Sequence, residues 1–306
     1  MWTPHASYPA PTAAWRLCLR RSRAANYRRS VPVPLWPAAS AETERHARMD
    51  LQLTGKRVVL CGASGVLGRA IARTLAAEGA QVALLGRDLG RLQVEAMQRP
   101  ANFCAIGCDL GSAAGTAHAI EEAITALGGL DVFVSAAGAA QGGVFWEIDD
   151  AAWQRNLDIK LFGTIRALRE VAPRMIEQRG GRIVLVVGNS ARQPEPRMLP
   201  GAAANAALLA IVRGLAEELG PHGVAINAVN PGPVRSSRWD TLMQAAAKRE
   251  GCTPAEAEAK FLEKTALRRL ATPEEVAAHV AFLASPMAAH LTGTSLTIDG
   301  GSTKSP

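Results

Sequence analysis

The stretch RVVLCGASGVLGRAIA, residues 57–72, decides the fold: an apolar run breaks at a group of small residues and then takes up helical spacing. The run VVLC is apolar throughout, as in a strand covered on both faces. Gly62, Gly65 and Gly68 stand at the turn, where a missing Cβ lets the backbone approach a pyrophosphate. The helix that follows offers free N–H groups and the positive end of its dipole. A glycine triplet alone is weak, since any strand-to-helix turn can use one. A second strand ending in LLGRD follows about 20 residues later, and the combination predicts dinucleotide binding.

Working outward, short apolar runs alternate with longer helical patterns. Residues 57–62, 81–86, 101–107, 131–136, 182–188, 224–230 and 295–299 read as seven strands, with helices near 66–79, 88–98, 113–127, 150–178, 202–219 and 272–285. Such alternation predicts an α/β doubly wound parallel sheet, with ligands at the carboxyl ends of the strands. There are no internal repeats and no interdomain linker. The charged stretch 236–264 interrupts the pattern near that end of the sheet and is read as a lid over a substrate, the alternative being a solvated hairpin.

The net charge of +7 suggests nucleic acid or an anionic surface until its placement is considered. Residues 1–48 hold eight Arg against Glu42 and Glu44, so nearly all of the excess lies there and the body is close to neutral. Nucleic-acid binding is therefore not expected. This segment is rich in Pro, Arg and Ala without helical or strand periodicity, and disorder is expected. Three readings are open for it: a start misassigned ahead of Met49, an organelle transit peptide, or a basic tail. A single domain is expected over 49–306.

Five cysteines at 18, 61, 104, 108 and 252 show no CxxC pair and no Cys/His ligand spacing, so they read as buried thiols in a reducing compartment and no metal site is expected. No apolar run is read as reaching the roughly 18 residues of a membrane span. The expectation is a cytoplasmic protein, or an organellar one if residues 1–48 are a transit peptide. None of the six histidines has a partnered Asp or Ser, so no triad is expected.

The end of the second strand speaks to cofactor type. An acidic residue there would bond the adenine ribose hydroxyl, whereas Arg87 suits a 2′-phosphate. NADP(H) is expected, with NAD(H) as the alternative.

Residues 51–301 resemble the short-chain dehydrogenase/reductase family. The resemblance rests on the glycine turn at 62–68, CDL at 108–110, SAAG at 135–138, NPGPV at 230–234, TPEEVA at 272–277 and LTGTSLTIDGG at 291–301. It implies a single Rossmann-type domain with seven strands. It assigns Gly62, Ser64, Gly65, Leu67 and Gly68 to the cofactor turn and places Asp109 and Leu110 by the adenine. Ala137 and Gly138 would line the cofactor, and Pro231, Gly232, Val234 and Ser236 would pass the nicotinamide. It also implies a homodimer or homotetramer, built through helices 150–178 and 202–219. Cys61 and Val66 depart from the usual turn, which puts cofactor affinity in question.

The family moves its proton with a tyrosine, a lysine that lowers the tyrosine pKa, a serine and an asparagine. Aligned by the flanking motifs, these fall on Gly201, Asn205, Gly188 and Lys160. The only tyrosines, Tyr8 and Tyr27, lie in the extension. Lysine and asparagine have in effect changed places. Lys160, with three donors, can reach the cofactor ribose or serve as proton donor with a depressed pKa, and Asn205 can anchor a water. Asn189 and Ser190 can hold a substrate oxygen. Lys160 is equally readable as a surface lysine on an amphipathic helix, and Arg192 and Arg197 read as solvated, the alternative being recognition of an acidic substrate group. Two functions stay open: an NADP(H)-dependent oxidoreductase acting on a carbonyl or alcohol with an altered proton relay, or a catalytically silent dinucleotide- or ligand-binding protein.

Overall fold

The seven apolar runs form one all-parallel sheet in the order β3-β2-β1-β4-β5-β6-β7. The strands are β1 Arg57–Cys61, β2 Gln81–Gly86, β3 Phe103–Gly107, β4 Val132–Ser135, β5 Gly181–Val186, β6 Val224–Pro231 and β7 Ser295–Ile298. The computed structural model describes residues 49–138 and 142–304. The expectations for residues 1–48, including Cys18, lie outside the described residues.

The strands are apolar throughout because each face is covered. Val58 and Leu60 join one core cluster with Ile71 and Leu75 of helix α1 (Val66–Ala77) and Val276 and Val280 of helix α9 (Pro273–Ala284). Val59 and Cys61 point the other way, into a cluster with Ile120, Val171 and Leu208. Successive side chains leave a strand on opposite faces, so neither layer tolerates a polar residue along the run.

The remaining helices are α2 Leu89–Met97, α3 Ala113–Leu127, α4 Asp150–Leu157, α5 Gly163–Glu177, α6 Leu199–Leu219, α7 Ser237–Glu250 and α8 Pro254–Leu262. Local chemistry sets their ends. Asp88 caps α2 by accepting from Arg91 N at 3.1 Å, and Ser112 caps α3 by accepting from Gly115 N at 3.1 Å. Thr272 and Glu275 form a reciprocal capping box at α9.

Two differences from expectation matter to the site. The single helix expected over 150–178 is interrupted by a π-helical turn, Asp158–Phe162. Arg166 braces this turn, bonding Asp158 Oδ1 at 2.7 Å and Leu110 O at 2.8 Å. Such wide turns interrupt helices where a side chain is being re-aimed, and the residue at its centre is Lys160. Helix α6 also starts at Leu199 instead of 202, which Pro200 allows because the first turn needs no N–H from it.

The expectation that no apolar run could span a bilayer is corrected by Leu199–His222, which is long and apolar enough by length and composition. In the fold its residues Leu208, Val212, Ala216 and Leu219 are buried in the core, the position of a central helix. The stretch 236–264 is a helical hairpin, α7 and α8, with its own small core of Trp239, Met243, Ala247 and Ala257. Trp239 Nε1 donates to Glu258 Oε2 at 2.6 Å, and its ring meets Phe261 edge-on at 4.9 Å. Of the expected buried thiols, Cys61 and Cys108 are buried while Cys104 and Cys252 are partly so.

Candidate active site

Between β1 and β4 the strand order reverses, and a cleft opens at the carboxyl ends there, where doubly wound sheets hold ligands. Its walls include Gly62, Ser64 and Gly65 from the first turn, Arg87 after β2, Asp109 and Leu110 after β3, and Ala137 and Gly138 after β4. These expected residues therefore come together. Gly62 has φ of +79°, and a Cβ there would lie 2.6 Å from Ala136 C and Ala137 N. Only glycine lets the turn lie against the chain after β4. The helix N-cap is Gly65, which has no side chain to occupy the first-turn N–H groups. That is a cradle suited to a phosphate.

Leu67 and Gly68 do not line the cleft. Leu67 packs against the core, and Gly68 is a packing residue: its Cβ would meet Gly62 O at 2.2 Å. The glycine spacing flagged Gly68 because close helix packing and ligand approach use the same residue, whereas Leu67 was assigned by the resemblance alone. The sequence reading missed Cys61, Cys108 and Ile159 as lining residues. Their signal was position alone, at strand ends and one residue before Lys160. The Cys61 thiol bonds Cys108, and this bond together with burial raises its pKa well above the usual range, so it stays protonated.

Pro231, Gly232, Val234 and Ser236 lie along the end of β6, apart from this cleft wall. Gly232 packs where a Cβ would fall 2.6 Å from Asp299 Cβ, and Val234 bridges to Ala271. Ser236 caps α7, accepting from Trp239 N at 3.2 Å and donating to Val234 O at 3.2 Å.

Three of the four expected catalytic residues gather at the carboxyl end of β5. Lys160 Nζ donates to Val187 O at 2.7 Å, and its aliphatic stem crosses Gly138, whose Cβ would lie 3.0 Å from Lys160 Cδ. Burial, and secondarily the charge of Arg238 on α7, lower the Lys160 pKa to about 8. Lys160 is thus a half-buried lysine held against Gly138, a cleft residue, and is no freely solvated surface lysine. Asn205 Nδ2 donates to Ser190 Oγ at 2.8 Å. Asn189 is the exception: its Nδ2 is directed at Ser302 Oγ, 3.4 Å away near the C-terminus. Gly201 is buried in the first turn of α6. Arg192 is exposed and bonds Ser295 Oγ at 3.0 Å, and Arg197 is exposed on its loop.

The family model described as enoyl-(acyl carrier protein) reductase matches residues 62–303. The chain is 31% identical over 271 residues to the oxidoreductase YvaG of Bacillus subtilis, covering 84% of this chain and 99% of that protein. It is 35% identical over 246 residues to the short-chain reductase protein NovJ of Streptomyces niveus, covering 79% and 92%. Among solved structures, L-sorbose reductase from Gluconobacter frateurii, complexed with NADPH and L-sorbose, superposes with a TM-score of 0.79 at 28% identity, covering 84% of this chain and all of that one.

The chain belongs to the short-chain dehydrogenase/reductase family. It stands among NAD(P)-dependent short-chain oxidoreductases. The cleft of this short-chain dehydrogenase/reductase fits such a dinucleotide on its own geometry: a glycine turn pressed on the chain after β4, an uncapped helix start, and a cation at the end of β2. The helical hairpin of α7 and α8 begins directly after the segment leaving β6. It therefore carries Arg238 to the side of Lys160.

Proposed function

We propose that the protein is an NADP(H)-dependent oxidoreductase acting on a carbonyl or alcohol substrate, with Lys160 as the proton donor and acceptor. The observation that carries this is the Lys160 ammonium, fixed on Val187 O at 2.7 Å with its stem against the cleft residue Gly138 and with a pKa of about 8. A general acid works best when its pKa lies near the working pH, and burial has moved this lysine there. The preference for NADP(H) rests on Arg87, whose guanidinium suits a 2′-phosphate.

When bound, NADPH supplies the hydride that goes to the carbonyl carbon. Lys160 gives its proton to the carbonyl oxygen and is left as the neutral amine. The Ser190 hydroxyl accepts from Asn205 Nδ2, so its own hydrogen is available to donate to the substrate oxygen. Asn205 is in this way a positioning residue. Asn189, turned toward Ser302, takes no part. The α7–α8 hairpin acts as the lid, excluding water when substrate is present.

The apolar outer face of α6 supports a homodimer or homotetramer: the helix is long and apolar, yet only 44% of its most apolar stretch is buried within the chain. A second copy of α5 and α6 would cover it.

The test is to titrate the purified full chain with NADPH by fluorescence and then screen carbonyls for NADPH consumption. Binding followed by turnover that Lys160→Ala suppresses supports the reading. Binding without turnover of any carbonyl class leaves a dinucleotide-binding protein instead, and loss of binding to both dinucleotides defeats both.

A further inference from the structure

The chain after β7 makes a turn that the chemistry above does not use. In Asp299-Gly300-Gly301-Ser302 the Ser302 N–H donates to Asp299 O at 3.2 Å, and Gly300 and Gly301 have φ of +62° and +77°. Both central residues lie in the left-handed region, which a pair of glycines enters without strain. The Asp299 carboxylate, 8% exposed, holds the turn from within. Its Oδ1 accepts from Gly301 N at 2.9 Å, and its Oδ2 accepts from Thr303 N at 2.7 Å and from Ser302 Oγ at 3.1 Å. Hydrogen bonds to a buried charge are the strong ones, so this turn is a firm base.

Three segments of the site are mounted on it. The chain leaving β6 is tied by Gly232 N, which donates to Ile298 O at 2.9 Å. The chain leaving α8 is tied by Leu267 N, which donates to Gly300 O at 3.0 Å. These are the two roots of the α7–α8 hairpin. The third segment is the loop after β5, which carries Ser190. Asn189 Nδ2 donates to Ser302 Oγ at 3.4 Å, and Gln193 binds twice, its Nε2 donating to Ser302 O at 3.4 Å and its Oε1 accepting from Lys304 N at 2.8 Å. Asn189 takes no part in the chemistry itself, but with Gln193 it clamps the loop on both sides of Ser190. Ser302 relays the clamp, since its hydroxyl accepts from Asn189 while donating to Asp299. Asn205 orients the Ser190 hydroxyl from α6. It does not hold the backbone that carries that hydroxyl, and the turn does.

We propose that Asp299 and Ser302 are positioning residues of the active site, acting through Asn189 and Gln193 to hold the Ser190 hydroxyl where the substrate oxygen binds. This rests on Ser190 being the group that holds that oxygen. The same turn seats both roots of the lid, so the hydroxyl and the lid share one reference point.

Kinetics and hydrogen exchange on the full chain test this. Ser302→Ala removes the relaying hydroxyl, and it should lower kcat for carbonyl reduction roughly tenfold with the NADPH dissociation constant unchanged. Ser302→Thr, which keeps a hydroxyl, should restore most of kcat. In a Ser190→Ala background Ser302→Ala should cost nothing further, because its effect passes through the missing hydroxyl; losses that multiply overturn the proposal. Amide exchange reads the clamp without turnover: residues 188–193 should exchange faster in Ser302→Ala while β5 and β6 stay protected, and wild-type exchange in that loop overturns the anchoring. If the wild type turns over no carbonyl, or Ser190→Ala keeps the wild-type kcat, the role of Ser190 and the positioning role fall together, while exchange still decides whether the turn anchors the loop. Should Ser302→Ala fail to fold, Asn189→Ala and Gln193→Ala cut the same clamp from the loop side, and wild-type kcat in both overturns the proposal.

Discussion

A Cβ placed on Gly188 falls 2.9 Å from Asn205 Nδ2, so these two residues are fitted to each other across the contact between β5 and α6. Gly188 also holds φ of +132°, where a side chain is strained. Gly188→Ser should therefore destabilise the fold by about 1–3 kcal/mol. Adding Asn205→Ala should remove the clash but not the backbone strain. A double-mutant cycle in denaturant should give a coupling of at least about 0.5 kcal/mol, and strict additivity would refute the contact.

Lys160 should impose its pKa of about 8 on the reaction. Reduction needs the ammonium, so kcat/KM for reduction should be flat below pH 8 and fall about tenfold per unit above it, with oxidation rising toward the same point. Lys160→Ala should lose about 10² to 10⁴ in rate and abolish the break. A profile that keeps its break in the variant would assign the proton to another group.

The same shift acts on stability. The pKa is lowered from 10.5 in the fold, so the unfolded chain binds the extra proton between about pH 8 and that value. The ammonium thus opposes folding most fully below pH 8, and this opposition is relieved as pH rises through the window. Compared with the wild type, Lys160→Met should gain Tm at pH 7 by more than at pH 10. An equal change at both values would show that the lysine is not desolvated.

Arg87 should decide the cofactor. Arg87→Asp removes a charge-assisted bond worth about 1.5–3 kcal/mol, so NADPH affinity should fall roughly ten- to a hundredfold while NADH affinity holds or improves. Equal losses for both, measured by fluorescence titration, would place Arg87 away from the 2′-phosphate.

Gly68 tests packing apart from lining. Its Cβ would meet the backbone oxygen Gly62 O at 2.2 Å, which cannot move without opening the turn. Gly68→Ala should cost about 1–3 kcal/mol in stability and weaken both dinucleotides alike. A variant of full stability with weakened binding would make Gly68 a contact residue after all.

The sheet was legible in the chain because an all-parallel, doubly covered strand must be apolar on both faces, and runs such as VVLC at 58–61 and VALL at 82–85 can satisfy little else. The cofactor turn was legible for the same kind of reason: Gly62 needs its positive φ and close approach whatever surrounds it. Lys160 was visible only as a residue in the wrong place. Whether it was surface or cleft depended on the π-helical turn at 158–162 and on Val187, 27 positions away, and periodicity records neither. Asn189 and Ser190 are adjacent and equally polar, yet one turns to Ser302 and the other to Asn205. Local propensity and hydrophobic period determine which segments become strands and helices, because those depend on each residue's own neighbours. Which polar side chains meet, and how far a lysine's pKa falls, is decided only when distant segments are packed together, because desolvation and hydrogen bonding are properties of that contact.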